Sequence, residues 1–394
     1  MTETNVKACV CPPAQIDWLW TILLAVPMLL LTAMMSTNGQ PMPTDPRRLI
    51  PMIMSFLFLN VMFILMLRSG RIDRYRAPVF ILYAVGFVLM FIPNLLEVRG
   101  TVAIGAEEMV QGTVPFCHMV IPMTIIPAAF TRTIIFPGSM LEGFASIGKM
   151  LVLWLGVSIV LGRGWCSWVC FYGGMDEGFS RILPRPIIRR ISPALRYVPF
   201  AFLLVIVLIS ATYLTPTYCE WLCPYKSVTE FAAVTDARTL IQTVIFIALF
   251  VGLVIVLPIL TGKRTQCGLF CPMGAFQSFT NKVNIFGIRI DTDKCKQCGV
   301  CIKACPTLSL DKTSLPKGSP SMTCTKCGRC VDVCKFGAVT MQVKGSPVGH
   351  PNLGRVLFVY PAFLVMAIMG GSMIQQGLYR LILLATTGSL VSGS

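Results

Sequence analysis

Charged residues are scarce in this chain, and histidine is nearly absent. Only 13% of the 394 residues are charged while 55% are hydrophobic, and the mean hydropathy is +0.74. The two histidines, His118 and His350, do not support a bis-histidine haem b, and no C-x2-C-H motif supports covalent haem c. No G-x-G-x-x-G fingerprint follows a strand. The composition is far from that of a soluble globular protein and indicates an integral membrane protein.

Apolar runs long enough to cross a bilayer recur along the sequence. About 20 residues are needed to cross roughly 30 Å of hydrocarbon. We predict about seven helical spans, at 18–36, 49–67, 77–95, 147–162, 197–214, 240–260 and 356–386. A further apolar stretch, 114–130, is interrupted by prolines and is predicted to be re-entrant or interfacial. The predicted fold class is therefore mostly α, a polytopic helical membrane protein.

The net charge is +16, and the basic residues cluster in short loops beside the spans. This distribution predicts the orientation of the chain in the membrane and does not indicate a nucleic-acid partner. The positive-inside rule places three loops in the cytoplasm, marked by Arg68, Arg71, Arg74 and Arg76, by Arg181, Arg185, Arg189, Arg190 and Arg196, and by Lys263 and Arg264. The acidic connection 96–148 then lies outside. The predicted location is a bacterial inner (cytoplasmic) membrane, with the lipid bilayer as a partner.

Seventeen cysteines are a high count, and their spacing indicates metal or redox chemistry more than a disulfide scaffold. Two C-x2-C-x2-C-x3-C runs, "CKQCGVCIKAC" and "CTKCGRCVDVC", have the pattern of a bacterial two-cluster ferredoxin, in which the fourth cysteine of each run binds the other cluster. One [4Fe–4S] cluster is assigned to Cys295, Cys298, Cys301 and Cys334, and the second to Cys324, Cys327, Cys330 and Cys305. A pair of zinc sites is the alternative, since C-x2-C also suits zinc.

Three C-x3-C pairs lie beside the spans, in "GRGWCSWVCFYGG", "TYCEWLCPYKSV" and "KRTQCGLFCPMGAF". Their similar surroundings indicate an internal repeat. Proline follows Cys223 and Cys271 but not Cys170, where Phe171 stands. A cysteine before such a proline is expected at a helix N-terminus, where the helix dipole stabilises a thiolate. Packed free thiols are the alternative for each pair.

The motifs from about 147 to 345 resemble the polyferredoxin-like 4Fe–4S membrane protein family. That family includes the quinol-dehydrogenase membrane subunit of periplasmic nitrate reductase, the membrane ferredoxin associated with nitrous oxide reductase, the methylamine-utilisation ferredoxin and the copper-reducing ferredoxin of oxidase assembly. The resemblance implies an additional cluster or metal site on Cys166, Cys170, Cys267 and Cys271, on the cytoplasmic side. It also implies redox partner proteins, membership of a membrane complex and a link to quinone.

The middle pair, Cys219 and Cys223, departs from the family pattern as an added feature. Its connection alternates to the outer side, so we predict an outer-face site there, with Cys117 and His118 as further candidate metal ligands. A packed thiol pair or a disulfide is the alternative. The N-terminal cysteines, Cys9 and Cys11, have no assigned role.

These inferences predict four regions: a tail at 1–16, a helical membrane domain at 17–284, an inserted α+β cytoplasmic ferredoxin domain with two [4Fe–4S] clusters at 285–345, and a C-terminal transmembrane helix at 346–394. The leading hypothesis is an electron-transfer subunit that carries electrons between quinol or cytoplasmic donors and a periplasmic or membrane partner enzyme. A copper-reducing metallocentre assembly factor is the second hypothesis, and a transporter or structural membrane protein with a regulatory ferredoxin is the third.

Overall fold

The computed structural model describes residues 15–37, 41–98, 126, 130–132, 147–229, 234–346 and 351–390. Within these ranges seven long helices occupy the places of the seven predicted spans, so the polytopic helical fold is confirmed. They are α1 (Trp18–Thr37), α2 (Pro46–Ser69), α3 (Ile72–Val98), α4 (Ile147–Leu161), α6 (Val198–Tyr213), α7 (Ala237–Thr261) and α9 (Pro351–Thr387). Two shorter helices follow cysteine pairs: α5 (Phe171–Phe179) and α8 (Pro272–Val283). The predicted re-entrant stretch 114–130 lies almost wholly outside the described residues.

The helix ends follow local capping chemistry. Asp45 caps α2 by accepting a hydrogen bond from the Arg47 amide at 2.9 Å, and Gly70 ends the helix in the left-handed conformation. Asp236 and Thr239 form a reciprocal capping box at the start of α7. Because lipid cannot hydrogen-bond exposed backbone groups, these caps lie where the chain leaves the apolar spans.

The helix α7 contains a π-helical stretch, Phe250–Val256. Two further π-helical turns, Tyr218–Leu222 and Gln266–Phe270, lie inside cysteine pairs. Short π segments are rare and often mark functional sites. Two of the three π segments in the described part of the chain therefore coincide with the predicted redox motifs.

Glycines bring α3 and α9 into close backbone contact. A Cβ atom placed on Gly86 would lie 2.5 Å from the Met373 carbonyl oxygen, and one on Gly377 would lie 2.7 Å from the Gly86 Cα atom. Small residues at such crossings allow membrane helices to pack by van der Waals contact, since lipid removes most of the hydrophobic driving force.

A small α+β domain follows α8. Its strands, β1 (Phe286–Ile290) and β2 (Val339–Val343), pair antiparallel with Phe286 opposite Val343 and Ile290 opposite Val339. Between the strands lie three short helical turns, Val300–Ala304, Ser314–Lys317 and Arg329–Asp332. The first and third turns lie within the two cysteine runs, so the strands close one loop-rich unit around both runs.

This domain packs directly on one end of the helical bundle. Just before α6, Arg196 forms an ion pair with Asp311 at 2.7 Å. Just after α7, the Arg264 amide donates to the Pro306 carbonyl at 2.9 Å. The helices α6 and α7 therefore both have one end against the small domain, which we call the ferredoxin end of the bundle.

The connection from α6 to α7 starts and finishes at the far end of the bundle, but its described residues 214–229 turn back towards the ferredoxin end. The Tyr218 ring lies 6.2 Å from the Phe202 ring, only a turn into α6. The Gln266 amide donates to the Tyr218 hydroxyl at 3.3 Å, and the Tyr225 hydroxyl donates to the Tyr172 carbonyl at 3.2 Å. Residues 214–229 are therefore a re-entrant segment within the bundle.

A Gly86→Ala substitution tests the α3–α9 crossing. We expect it to destabilise the protein by about 1–3 kcal/mol, because the new methyl group meets backbone that cannot move aside. Gly252→Ala in α7 is the control, since nothing lies within 4 Å of a Cβ there. Thermal unfolding in detergent should show a lower midpoint for Gly86→Ala alone; equal midpoints would show that the crossing is loose.

Candidate iron–sulfur centres

The eight ferredoxin-type cysteines line two separate cavities in the small domain. The first is lined by Cys295, Cys298, Cys301 and Cys334. The second is lined by Cys305, Cys324, Cys327 and Cys330. Each cavity thus takes three thiols from one run and the fourth from the other, the same grouping that the spacing predicts. That these thiols bind clusters remains a prediction.

The two cysteine loops have the same backbone. Gln297 and Lys326, each two residues after the first cysteine of its run, have φ values of 51° and 50°. Gly299 and Gly328, each two residues further on, have φ values of 72° and 86°. Alternating left-handed residues curl each loop around its cavity, and glycine adopts this conformation without strain. The repeated run therefore folds the same way twice.

The two cavities differ in their distance from the bundle. A Cβ on Gly328, in the second cavity, would lie 2.7 Å from the Ile72 Cβ of α3. In the first cavity Cys298 is exposed to solvent. We call the Cys324-containing cavity proximal and the Cys298-containing cavity distal, by their position relative to the bundle.

A third cavity lies within the helical bundle. Its walls contain thiols from all three C-x3-C pairs together with three tyrosines: Cys166, Cys170, Tyr172, Tyr218, Cys223, Tyr225, Gln266, Cys267, Cys271 and Met273. We call this the membrane cavity. The four cysteines predicted to converge, two from each outer copy of the repeat, do line one common space.

The structure corrects the prediction of a separate site for Cys219 and Cys223. The connection that carries them does start at the far end of the bundle, as the alternation of spans implies. The re-entrant segment then returns Cys223 to the wall of the membrane cavity, which Cys271 also lines. Cys219 is half-buried and does not line that cavity. Alternation of spans gives the side from which a connection starts but not the depth that it reaches. The other candidate ligands for that site, Cys117 and His118, lie outside the described residues.

The second cysteine of each pair has the extended backbone expected before a helix. The φ and ψ angles are −76° and 108° at Cys170, −80° and 108° at Cys223, and −63° and 119° at Cys271. Cys170 and Cys271 are the N-cap residues of α5 and α8. The same geometry at Cys170 shows that Phe171 replaces proline without altering the turn. Both thiols therefore lie at the positive end of a helix.

Two buried arginines tie the outer copies together reciprocally. Arg163, three residues before Cys166, donates to the Cys267 carbonyl at 3.0 Å. Arg264, three residues before Cys267, donates to the Cys166 carbonyl at 2.5 Å. Each copy thus fixes the first cysteine of the other copy, so the two pairs are held across the cavity from one another.

Two glycines make room for these arginines. A Cβ on Gly274 would lie 2.8 Å from the Cys267 carbonyl oxygen and 3.1 Å from the Arg163 guanidinium. A Cβ on Gly173 would overlap the corresponding atoms of Cys166 and Arg264. Each glycine stands three residues after the second cysteine of its copy, so the outer copies share the motif R-x2-C-x3-C-x2-G.

The prediction from sequence missed these four residues as parts of the site. The shared R-x2-C-x3-C-x2-G motif was the available signal, and the middle copy has Pro216 and Lys226 at the arginine and glycine positions. Arg264 was interpreted only as an orientation marker for the cytoplasmic loop. Its guanidinium is fully buried, so counting it as a loop charge missed its structural role.

A buried carboxylate balances several arginines next to the membrane cavity. Glu177 is fully buried and lies 3.2 Å from Arg76, 2.5 Å from Arg181 and 3.4 Å from Arg264. Burial by itself raises the pKa of the Glu177 carboxyl, but the three guanidinium groups outweigh it and hold the pKa well below its usual range. The carboxylate therefore stays ionised and neutralises part of the buried positive charge.

The neighbouring Asp176 contacts the cysteine turn itself. Its Oδ2 atom accepts a hydrogen bond from the Cys267 amide at 2.8 Å. Burial raises the pKa of Asp176 to about 7, against the opposing effect of Arg264. This contact orients the first cysteine of the third copy from the side of α5.

Arg76 connects the proximal cavity to the membrane cavity. Its Nε atom donates to the Cys327 carbonyl at 3.1 Å, and its Nη1 atom donates to the Ser167 carbonyl at 2.8 Å. Ser167 directly follows Cys166, and its hydroxyl accepts a hydrogen bond from Arg264 at 2.7 Å. One buried side chain thus touches the backbone of both thiol sites.

The donor sets suit iron–sulfur clusters. Soft thiolates select iron–sulfur clusters, zinc and Cu(I), and four thiols around a common space match the ligand count of a [4Fe–4S] cluster. Within the described ranges no three Cys, His, Asp or Glu side chains converge as ligands of a single metal ion. Burial raises the pKa of the Cys327 thiol to about 12, so a thiolate there requires a cationic centre to stabilise it.

Two family models match the chain. A 4Fe–4S dicluster domain matches residues 287–335, and a 4Fe–4S binding domain matches three times, at 145–190, 195–238 and 243–290. The three matches each contain one C-x3-C pair, which confirms the internal repeat. The dicluster match contains all eight cysteines of the two small-domain cavities.

Several curated proteins are similar to parts of the chain. YccM of Escherichia coli K12, named for electron transport, is 26% identical over 56% of this chain and 62% of its own length. The ferredoxin-type protein NapH of the same organism is 28% identical over 47% of this chain and 63% of its own length. A ferredoxin of Methanothermococcus thermolithotrophicus is 39% identical over 14% of this chain and 97% of its own length. The chain thus spans less than two thirds of the first two relatives. No solved structure matches it significantly.

Replacing Glu177 by Gln tests the buried charge network. We expect a loss of about 3–5 kcal/mol of stability, because the buried Arg264 loses its ion pair and Arg76 and Arg181 keep only Asp73. Glu220→Gln is the matched control, because its 3.8 Å pair with the exposed Arg238 is only partly buried and contributes at most about 1 kcal/mol. Thermal unfolding of the purified protein measures both, and similar small shifts would contradict a structural role for Glu177.

Proposed function

We propose that this member of the polyferredoxin-like 4Fe–4S membrane proteins carries electrons between its small ferredoxin domain and a third centre inside the helical bundle. The observation that supports this is the Arg76 contact, which joins the backbone of Cys327 to that of Ser167. A ferredoxin that merely regulated another activity would have no need of buried thiol pairs beside it.

The proposed centres have an order. The distal cavity has an exposed thiol, Cys298, so a soluble redox protein can approach it. The proximal cavity lies against α3, and the membrane cavity follows on the other side of Arg76. We therefore propose Cys295, Cys298, Cys301 and Cys334 as one end of the relay and Cys166, Cys170, Cys267 and Cys271 as the other. The direction of flow along this order depends on the partners.

Bound clusters would supply one-electron redox chemistry at potentials that the surrounding charges and hydrogen bonds tune. The residues of this chain would hold and position the clusters. The eight ferredoxin-type cysteines hold two clusters, the N-capping Cys170 and Cys271 present thiolates at helix ends, and the reciprocal arginines keep the outer copies facing each other. The packed aromatic and aliphatic side chains of the bundle keep water from the membrane cavity.

The depth of the membrane cavity supports a link to the membrane. The ferredoxin end carries Lys263 and the basic loop around Arg185, so we propose by the positive-inside rule that the small domain, at about 285–345, is cytoplasmic. A centre within the bundle then stands between cytoplasmic donors and a quinone or a partner enzyme at the far face. We propose that the chain works as a subunit of such an inner-membrane system.

A copper-reducing assembly factor is the second candidate. Met273 and Cys223 line the membrane cavity with the other four thiols, and thiolate and thioether ligands select Cu(I). In that function the two ferredoxin clusters would supply electrons to copper in the membrane cavity. Metal content distinguishes the two functions, because only the second requires stoichiometric copper.

Metal and sulfide analysis of protein purified without oxygen tests the proposed function. We expect about eight iron and eight sulfide from the ferredoxin domain and further iron from the membrane cavity. Cys271→Ser should remove the further iron and leave the two ferredoxin clusters spectroscopically intact, because Cys271 lines only the membrane cavity.

A second cysteine variant provides the matched control. Cys219→Ser changes a half-buried thiol that does not line the cavity, and iron content should stay at the wild-type value. Zinc in place of iron throughout would refute the electron-transfer function. Stoichiometric copper lost from Cys271→Ser would favour the assembly factor instead.

A further inference from the structure

Arg163 is a buried charge without a carboxylate partner among the described residues. Its side chain is fully buried, and it belongs to none of the ion pairs that those residues form. Its Nη2 atom donates to the Cys267 carbonyl, whereas its Nε and Nη1 atoms have no hydrogen-bond partner in the described part of the chain. Arg264, at the same position of the other copy, has Glu177 at 3.4 Å.

An isolated guanidinium in this position is energetically unfavourable. Burying a charge without a partner costs several kcal/mol, and arginine cannot escape that cost by losing its proton. The ionisable groups with the largest opposite-sign effect on Arg163 are the thiols of Cys166, Cys267 and Cys271. Within the described part of the chain, the compensating negative charge therefore comes from the thiol site.

The Arg163 guanidinium lies close to the cysteine pairs. Arg163 stands three residues before Cys166 but reaches across to the other copy, and Gly274 leaves the space that its guanidinium fills. The side chain therefore lies between the two cysteine pairs. A basic residue placed only to mark membrane topology would extend to the solvent.

We propose that Arg163 is the counter-ion of a negatively charged iron–sulfur centre held by Cys166, Cys170, Cys267 and Cys271, and that it raises the reduction potential of that centre. This inference rests on the proposed function, which supplies the centre. Reduction adds one electron and increases the negative charge of the centre. A fixed positive charge nearby stabilises the reduced form more than the oxidised form, and the low dielectric of the bundle strengthens the effect. Arg163 is thus a positioning and tuning residue and not a ligand.

Redox titration of the intact protein in detergent, followed by electron paramagnetic resonance, tests the proposal. In Arg163→Met the membrane-cavity centre should be harder to reduce, with its reduced-to-oxidised ratio at a fixed potential lowered by about tenfold or more. Arg163→Lys keeps the positive charge and should recover most of this ratio. The distal ferredoxin cluster serves as the internal reference, because Arg163 also acts on Cys324 of the proximal cluster. The titration of the distal cluster should not change.

Arg68→Met is the control variant, because it also removes one positive charge but from a guanidinium that lies 3.6 Å above the Trp18 ring. It should leave all titrations unchanged. Loss of the cavity iron from Arg163→Met but not from Arg163→Lys also supports the proposal. A loaded centre with unaltered potential in Arg163→Met overturns it, and so does equal loss of the centre from both Arg163 variants. Wild-type protein with ferredoxin iron alone would instead refute the cavity centre of the proposed function.

Discussion

The pairing of buried charge around Glu177 is the constraint on which the site depends. Glu177 contacts arginines from three parts of the chain: Arg76 of α3, Arg181 after α5 and Arg264 of the third copy. None of these guanidinium groups can lose its proton, and those of Arg76 and Arg264 are fully buried. Their hydrogen bonds to carbonyls of Cys327, Ser167 and Cys166 then place both the ferredoxin and the first cysteine pair. The arginines that Glu177 neutralises are therefore also the side chains that hold the cysteine loops in place.

The repeat explains how one bundle builds a site from distant segments. Its outer copies exchange arginine contacts, and each glycine of the R-x2-C-x3-C-x2-G motif lets the arginine of the other copy approach. The middle copy lacks both residues and enters by a different route, as a re-entrant segment. Its Tyr218 and Tyr225 bond to Gln266 and to the Tyr172 backbone of the outer copies. The middle copy therefore completes the wall of a site that the outer copies define.

Sequence reasoning predicted what depends on local pattern. Hydrophobic length predicted the seven helices, and the cysteine spacing predicted which thiols share each cavity of the small domain. It failed for Cys223, because span alternation carries no information on whether a connection turns back into the bundle. It also missed Arg163 and Glu177, since a single charged residue beside an apolar run has the same appearance whether it faces solvent or a buried partner. Those positions depend on contacts between residues roughly 100 positions apart.

The choice of arginine around the membrane cavity has a physical reason that the proximal cavity illustrates. Lys326, in the proximal loop, is buried too, and burial lowers the pKa of its amine to about 7. A lysine in such a place is close to losing its charge at neutral pH, whereas a guanidinium keeps it. An amine also presents a compact charge, while the planar guanidinium of Arg76 bonds two carbonyls at once. Under the proposed function the electrostatics of the site must stay constant while electrons pass through it, and a guanidinium meets this requirement where the site is deeply buried.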